Sequence, residues 1–369
     1  MRFLIISHTE HVNENGRWYA YSPYVREMNL WLNHIDAVEI VAPLCKSKVG
    51  LNMAYAKEEI TVNPILAINL TTPFQILRSF FLAPFILIKM MVAMQRADHI
   101  HLRCPGNIGL LGCIAQIFFP LKAKTAKYAG NWDPKSKQPW SYRLQKWFLS
   151  NEKLTKNMQV LVYGEWPNQS KNIKSFFTAT YSEVDKTEIP QRKYDLPLRF
   201  LFVGTLVKGK GPDYALNLVK ELVSQGISSE LHFYGDGPLR NDLEEKIKDF
   251  RLERSIFIHG NQNTEALKKA YESSHFLLLP SKSEGWPKVV AEAMWWGVIP
   301  VVTRISCLPW MLGNMERGIL IYGDLKEDIA KIKIKLGDEK ALCAKSYEAK
   351  IWSRQYTLES FETEIKKLL

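Results

Sequence analysis

This chain has few cysteines. The five present (Cys45, Cys104, Cys113, Cys307 and Cys343) are odd in number, scattered, and form no CxxC. That pattern excludes a disulfide framework and a zinc ribbon, and it fits a reducing compartment. There is no DxD pair, no His/Asp cluster with metal-ligand spacing and no solenoid-length repeat. A secretory leader is not legible either. MRFLIISHTEHV has one arginine and then only five apolar or small residues before His8, which reads as a first β-strand.

Acidic residues are also scarce in one window. Residues 61–150 hold 11 Lys and Arg but only Asp98 and Asp133 on the acidic side. Most of the net charge of +11 therefore sits there. An anionic partner suits such a patch, a membrane surface or a lipid-linked phosphate in particular. Nucleic acid is disfavoured, because the basic residues are interleaved with a long apolar run and no helix-turn-helix or stacking signature accompanies them. That run lies between Arg78 and Arg96, is interrupted only by Lys89 and contains Pro84. It falls short of the about 20 apolar residues of a spanning helix. Two readings remain and are compatible at different ends. One is a buried helix of an α/β domain. The other is an amphipathic surface helix with Phe80, Phe81, Phe85 and Met90 in lipid and a basic rim.

At 369 residues, the chain predicts two domains. In the first half, FLIIS, VEIVAP, HIHL, KTAKYA and QVLVYG read as strands with helical stretches between them. DKTEIPQRKYDLP (185–197) is polar and proline-bearing and reads as a linker. The second half alternates more regularly, with LRFLFVG, ELHFYG, IFIHG, HFLLLP and VIPVV each separated by a helical pattern. Such alternation predicts parallel sheets covered on both faces, with ligands beyond the C-terminal strand ends. The loops there carry chemistry. Gly204, Gly209 and Gly211 would let backbone approach a phosphate, and Lys208 and Lys210 would supply charge. In SEGWPKVVAEAMWWG, Pro287 suits the first helical position and Gly297 the stop. The amides from Lys288 onward would form an anion site at the helix start. Glu284 precedes this helix. Glu292 lies inside it among apolar residues, where a carboxylate needs partners; ribose hydroxyls would serve, as would a salt bridge.

Taken in order, VGTLVKGKG, HFYGDGPLR, IFIHG, HFLLLPS, the E-x7-E of Glu284 and Glu292, and GVIPVV resemble family 4 of the retaining glycosyltransferases over about residues 198–322. The resemblance implies an α/β, GT-B fold, with two Rossmann-like domains whose parallel sheets face each other across a cleft. Residues 1–190 would be the acceptor-binding, membrane-facing domain and 191–350 the nucleotide-sugar domain. Residues 351–369 would hold a helix crossing back to the first. It further implies that Glu284 contacts the donor sugar, Glu292 the ribose and Lys210 the diphosphate, with Gly260 and Asn261 beside the base. Gly204, Thr205, Lys208, Gly285, Trp286, Lys288 and Val289 complete the expected donor site. His8, Arg17, His101 and Arg103 would meet the acceptor from strand ends facing the cleft. Neither metal nor cofactor is expected, since lysine and helix-end amides neutralise the leaving diphosphate.

The sequence departs from the family at three places. Thr205 stands where an arginine is common, Pro287 replaces a glycine, and KYAGNWDP has no histidine, leaving Asn131 and Asp133 as the catalytic candidates beside Glu284. The expected activity is transfer from a nucleoside-diphosphate sugar to a lipid-linked or polysaccharide acceptor. The expected location is cytoplasmic, peripheral at the inner face of the plasma membrane. A non-catalytic binding subunit and a nucleotide-sugar isomerase are the alternatives.

Overall fold

Short runs of β-branched and aromatic residues form strands buried on both faces, and amphipathic helices cover them. The computed structural model describes residues 1–47 and 51–369. It divides into one unit of Met1–Thr178 with Ser360–Leu369 and a second of Ala179–Glu359. The polar stretch 185–197 therefore lies within the second unit.

The first unit begins with β1 (Arg2–Ile6), β2 (Val12–Glu14), β3 (Arg17–Tyr21), α1 (Ser22–Leu32), β4 (Ala37–Pro43), β5 (Asn52–Ala54) and β6 (Ile60–Ile65). It continues with α2 (Pro73–Arg96), β7 (His99–Cys104), α3 (Asn107–Ala115), β8 (Ala123–Tyr128), α4 (Trp140–Leu149), β9 (Met158–Tyr163) and β10 (Ile173–Phe176). Its main sheet is parallel, in the order β10-β9-β8-β7-β1-β4-β6. A small antiparallel sheet, β2-β3-β5, stands beside it. The tight turn joining β2 to β3 is Asn15-Gly16, both at positive φ (52° and 81°), as hairpin twist requires.

The second unit holds β11 (Leu198–Val203), α5 (Pro212–Ser224), β12 (Ser229–Tyr234), α6 (Arg240–Asp249), β13 (Ile256–Gly260), α7 (Thr264–Ser273) and β14 (Phe276–Leu279). After these come α8 (Lys288–Trp295), β15 (Ile299–Thr303), α9 (Leu308–Met311), β16 (Ile319–Ile321), α10 (Leu325–Leu336) and α11 (Glu339–Ser353). The parallel sheet runs β13-β12-β11-β14-β15-β16. Phe200, Phe202, Phe233 and Phe276 fill its core against Leu216, Val219 and Leu243. The last helix, α12 (Leu358–Lys366), returns to the first unit. There Phe361 packs edge-on against Phe176 and Phe177, and Glu362 bonds His34 at 2.7 Å.

Helix α2 differs from its sequence reading. It starts at Pro73, runs through Pro84 without a break and reaches 24 residues, long and apolar enough by composition to cross a membrane. One side joins the core of the first unit through Ile86, Met90, Ala93 and Met94. Met90, expected in lipid, is thus fully buried, whereas Phe80, Phe81 and Phe85 are exposed. His101 is also corrected. It lies within β7, fully buried against Phe3 and Trp31, and its Nδ1 contacts the Thr125 hydroxyl at 2.8 Å. A strand buried on both faces leaves such a side chain no route to an acceptor.

Arg192 ties the second unit together at the far end of its helices. Its guanidinium donates to the carbonyls of Tyr271 and Glu272, at the end of α7, and of Trp296 and Gly297, just past α8, over 2.7–3.1 Å. These carbonyls lie at helix ends, where the intrahelical ladder runs out and a cation also meets the negative end of the dipole. Burial lowers the Arg192 pKa to about 10. We expect Arg192→Ala to destabilise the second unit by about 2–4 kcal/mol, and Arg192→Lys to recover only part, since an ammonium cannot span four carbonyls. Chemical denaturation followed by tryptophan fluorescence measures both.

Burial holds His99 neutral in the first unit, with its pKa lowered to about 4, and lowers that of His101 well below its ordinary value. The unfolded chain takes up these protons below about pH 6.5, whereas His99 in the folded chain resists until about pH 4. Stability of the first unit should therefore fall as pH drops through that window, by about 3 kcal/mol at pH 4 for His99 alone. Imidazole NMR titration checks the cause: proton uptake by His99 near pH 6.5 in the folded protein would contradict it.

Candidate functional site

In an open parallel sheet, a crevice opens where neighbouring strands send their connections in opposite directions. In the second unit this point lies between β11 and β14, since β11 leads through α5 to β12 on its other side. The loop after β11 carries Gly204 to Gly211, and the loop after β14 carries Ser281 to Pro287. The lysine and the first glutamate singled out in the sequence therefore arrive at one place. Lys210 Nζ meets Glu284 Oε1 at 2.6 Å, with Lys210 about one-third exposed and Glu284 at 8%. The backbone joins the loops as well, Lys282 N–H donating to Gly209 O at 2.9 Å.

The glycines of these loops serve two ends. A Cβ at position 235 would lie 1.9 Å from the Gly204 carbonyl oxygen, and one at 237 would lie 2.7 Å from that of Leu206. The turn after β12 thus packs backbone to backbone on the loop after β11, and Leu206 N–H donates to Asp236 O at 3.0 Å. At Gly204 and Gly209, by contrast, an added Cβ would meet nothing within 4 Å. There the backbone borders open space that a ligand can approach. Thr205 and Lys208 in the same loop are exposed.

Helix α8 starts at this crevice. Pro287 is its N-cap rather than its first residue, and no side chain caps it. Its first turn, with Lys288 and Val289, presents helix-start amides and the positive dipole end toward the loop cluster. Gly297, at φ 70°, ends it as the sequence suggests. Glu284 N–H donates to the Ser306 hydroxyl at 3.2 Å, and the Cys307 thiol donates to Gly285 O at 3.1 Å. The loop after β15 therefore braces the Glu284 loop, a contribution that no motif in the sequence announced. Glu292 is half-buried on α8. It accepts from the Thr180 hydroxyl at 2.9 Å and the Tyr271 hydroxyl at 3.1 Å. Two neutral donors, rather than an arginine, hold this carboxylate, and accepting capacity remains. Gly260 sits at φ 69° and accepts from Gly235 N–H at 2.8 Å, with Asn261 exposed beyond it.

Trp286 is corrected. It is buried in an aromatic cluster with Trp310, Trp352 and Tyr356, ring centroids 5.6–6.3 Å away. It supports the loop from behind, because a large indole next to Pro287 lowers its free energy most by leaving water.

The equivalent crevice of the first unit lies between β1 and β7. His8 stands there, exposed, against Gly106, where an added Cβ would come within 3.0 Å of His8 Nδ1. Arg103 is at the same end but nearly buried and ion-paired through both nitrogens with Glu27 of α1. Its guanidinium is a structural tie rather than a free acceptor contact. Arg17 lies apart, exposed at the β2–β3 hairpin, 3.7 Å from Glu58. Asn131 and Asp133 form a turn after β8, whose Asn131 carbonyl also accepts from Gln138. The Asn131 side chain accepts from Asp133 N–H at 2.9 Å, and Asp133 Oδ1 accepts from Lys135 N–H at 2.8 Å. Lys146 Nζ donates to the Asp133 carbonyl at 3.2 Å, and burial brings its pKa down to about 8.

Comparison with known proteins places this geometry. Residues 184–351 match the family of glycosyl transferases group 1. A putative colanic acid biosynthesis glycosyltransferase, WcaL of Salmonella typhimurium, is 28% identical over 147 residues, 37% of this chain and 36% of that protein. The chain spans about a quarter to a half of the length of the first curated relatives it matches. Among solved structures, the lipopolysaccharide outer core galactosyltransferase WaaB superposes with a TM-score of 0.71 at 14% identity, over 100% of this chain and 99% of that one. The Anabaena protein HepE, solved in complex with UDP-glucose, gives 0.65 at 14% identity, over 100% and 98%. At these identities the likeness is one of fold. The fold is GT-B, and the match to the glycosyl transferases group 1 family covers residues 184–351, a little under half of this chain.

Proposed function

We propose that this protein is a retaining glycosyltransferase. It moves a sugar from a nucleoside-diphosphate sugar to a lipid-linked or polysaccharide acceptor at the cytoplasmic face of the membrane, in building a cell-surface polysaccharide. The observation that carries the reading is the Lys210–Glu284 pair at the crevice of the second unit, beside the uncapped start of α8 and the open backbone of Gly204 and Gly209. An ammonium, helix-start amides and unobstructed glycine backbone are what a diphosphate requires. Glu284, held by Lys210 through one oxygen, has its second oxygen for a sugar hydroxyl. Glu292 would read the ribose, its two hydroxyl partners sharing the carboxylate with the incoming diol. Asn261 would lie by the base. The polysaccharide-related names of WcaL and WaaB favour a saccharide acceptor, and the UDP-glucose in HepE makes UDP-sugars the first donors to test.

In the reaction, the bond from the anomeric carbon to the diphosphate oxygen breaks, and the acceptor oxygen bonds to that carbon on the same face. The acceptor's proton passes to the departing diphosphate. Lys210 and the α8 amides stabilise the charge that grows on the leaving group, so no metal ion is needed for that task. Glu284 orients the sugar.

Lys210→Ala and Glu292→Ala should each weaken UDP-sugar binding about tenfold or more by calorimetry. Unchanged affinity in both variants would overturn the donor-site assignment. Glu284→Gln should lower turnover more than affinity, read as a drop in kcat with little change in KM. Product analysis by NMR of purified protein with UDP-sugars and saccharide acceptors should show an α-linked product from an α-linked donor. An inverted linkage, conversion of the nucleotide sugar without acceptor, or no turnover with any of a full donor panel would each reject the reading.

A further inference from the structure

Helix α2 has one face in the core and an opposite face that is exposed and almost wholly apolar. Phe74, Leu77, Phe80, Phe81, Phe85 and Ile88 are 58–76% exposed. No acidic residue occurs anywhere on the helix. At 3.6 residues per turn, the helix's three cations, Arg78, Lys89 and Arg96, fall on one flank of this stripe within about 20° of each other. Arg78 and Lys89 are exposed, and Arg96, which also pairs with Glu39, is nearly half exposed. Helix α3 packs between α2 and α4, as right-handed crossovers to successive strands require. On α4, Trp140, Arg143 and Trp147 are exposed at spacings of three and four residues, an aromatic–cation–aromatic stripe.

We propose that α2 lies in the surface of an anionic bilayer, its phenylalanines among the acyl chains and its basic flank at the lipid phosphates. A soluble surface seldom exposes contiguous apolar area of this extent without a partner. Charge selects the partner. Self-association would bury the phenylalanines but offer the basic flank no anion, whereas an anionic membrane supplies hydrocarbon and phosphate side by side. The helix lies on the membrane and does not cross it, because Ile86, Met90, Ala93 and Met94 belong to the core of the first unit. Trp140 and Trp147 suit the headgroup level, where an amphipathic ring is most stable. The inference deepens the membrane element of the proposed function but does not depend on the donor site.

The test is flotation of the full-length protein with vesicles of phosphatidylcholine alone or mixed with phosphatidylglycerol. Wild type should float with the anionic vesicles and about tenfold less with the neutral ones. Added salt at 0.5 M should reduce recovery without abolishing it, because the inserted rings are not screened. The triple variant Phe80→Ser/Phe81→Ser/Phe85→Ser should lose at least about tenfold in recovery, with its melting temperature and UDP-sugar affinity unchanged. Arg78→Glu should weaken binding to anionic vesicles alone. The proposal is overturned if wild type floats with neither vesicle, or if the triple variant floats as wild type does. It is equally overturned if sedimentation equilibrium shows a wild-type dimer that the triple variant dissolves. Donor affinity measured on the same samples separates the two readings, since loss of one property leaves the other standing.

Discussion

The candidate site depends on an ion pair between two loops that adjacent strands bring together and that a backbone hydrogen bond also joins. Lys210 follows β11 and Glu284 follows β14, strands that are neighbours in space but far apart in the chain. Parallel pairing brings their C-terminal ends together, and the switch in strand order splays their connections. A carboxylate that is 8% exposed would be costly without a cation. The pair therefore fixes both loops before any ligand arrives. Preorganised charge of this kind is the main device by which enzymes stabilise a developing anion, since little reorganisation is left for the reacting step. The pair also tempers the site. Under the proposed function, a lysine already half-neutralised would attract a diphosphate less indiscriminately than a bare one, which would favour ligands whose sugar hydroxyls also satisfy Glu284.

Much of the second unit was legible because its physics is local. Five of its strands are short apolar runs bounded by glycine or proline, and the helices between them keep a regular period. The first unit was less so. β6 (ITVNPI) and β10 (IKSF) are half-exposed edge strands, and polar or proline residues disguise them. The β2–β3 hairpin did carry a signal, the Asn15-Gly16 turn. His101 and Arg103 looked available because they close an apolar strand. Whether a strand end is open depends on what packs over it, and here Trp31 and Glu27 of α1 do so. Glu292 was placed on α8 from spacing alone, but its partners Thr180 and Tyr271 come from distant segments that no motif links.

Helix α2 shows why composition cannot decide between burial and exposure. Its apolar residues surround the whole helix, so periodicity gives no preferred face. Only the packing of one side on the sheet reveals that the other side is uncovered, and that the cations lie along its edge.

The two crevices also bear on where the acceptor's proton goes. In the second unit the switch point is lined by an ammonium and helix-start amides, groups that attract anions and donate hydrogen bonds. In the first unit Arg103 is consumed by Glu27, and the Asn131 and Asp133 side chains accept from backbone amides of their own turn. Such a turn orients backbone and holds its carboxylate in place, which favours positioning over proton abstraction. With no histidine after β8, the proposed reaction gives the acceptor's proton to the departing diphosphate. Its charge peaks as the sugar leaves, on the face where a retained product requires the acceptor to attack. In the proposed reaction, proton transfer to the leaving group needs no dedicated side chain, and the protein's task is to hold donor and acceptor in line.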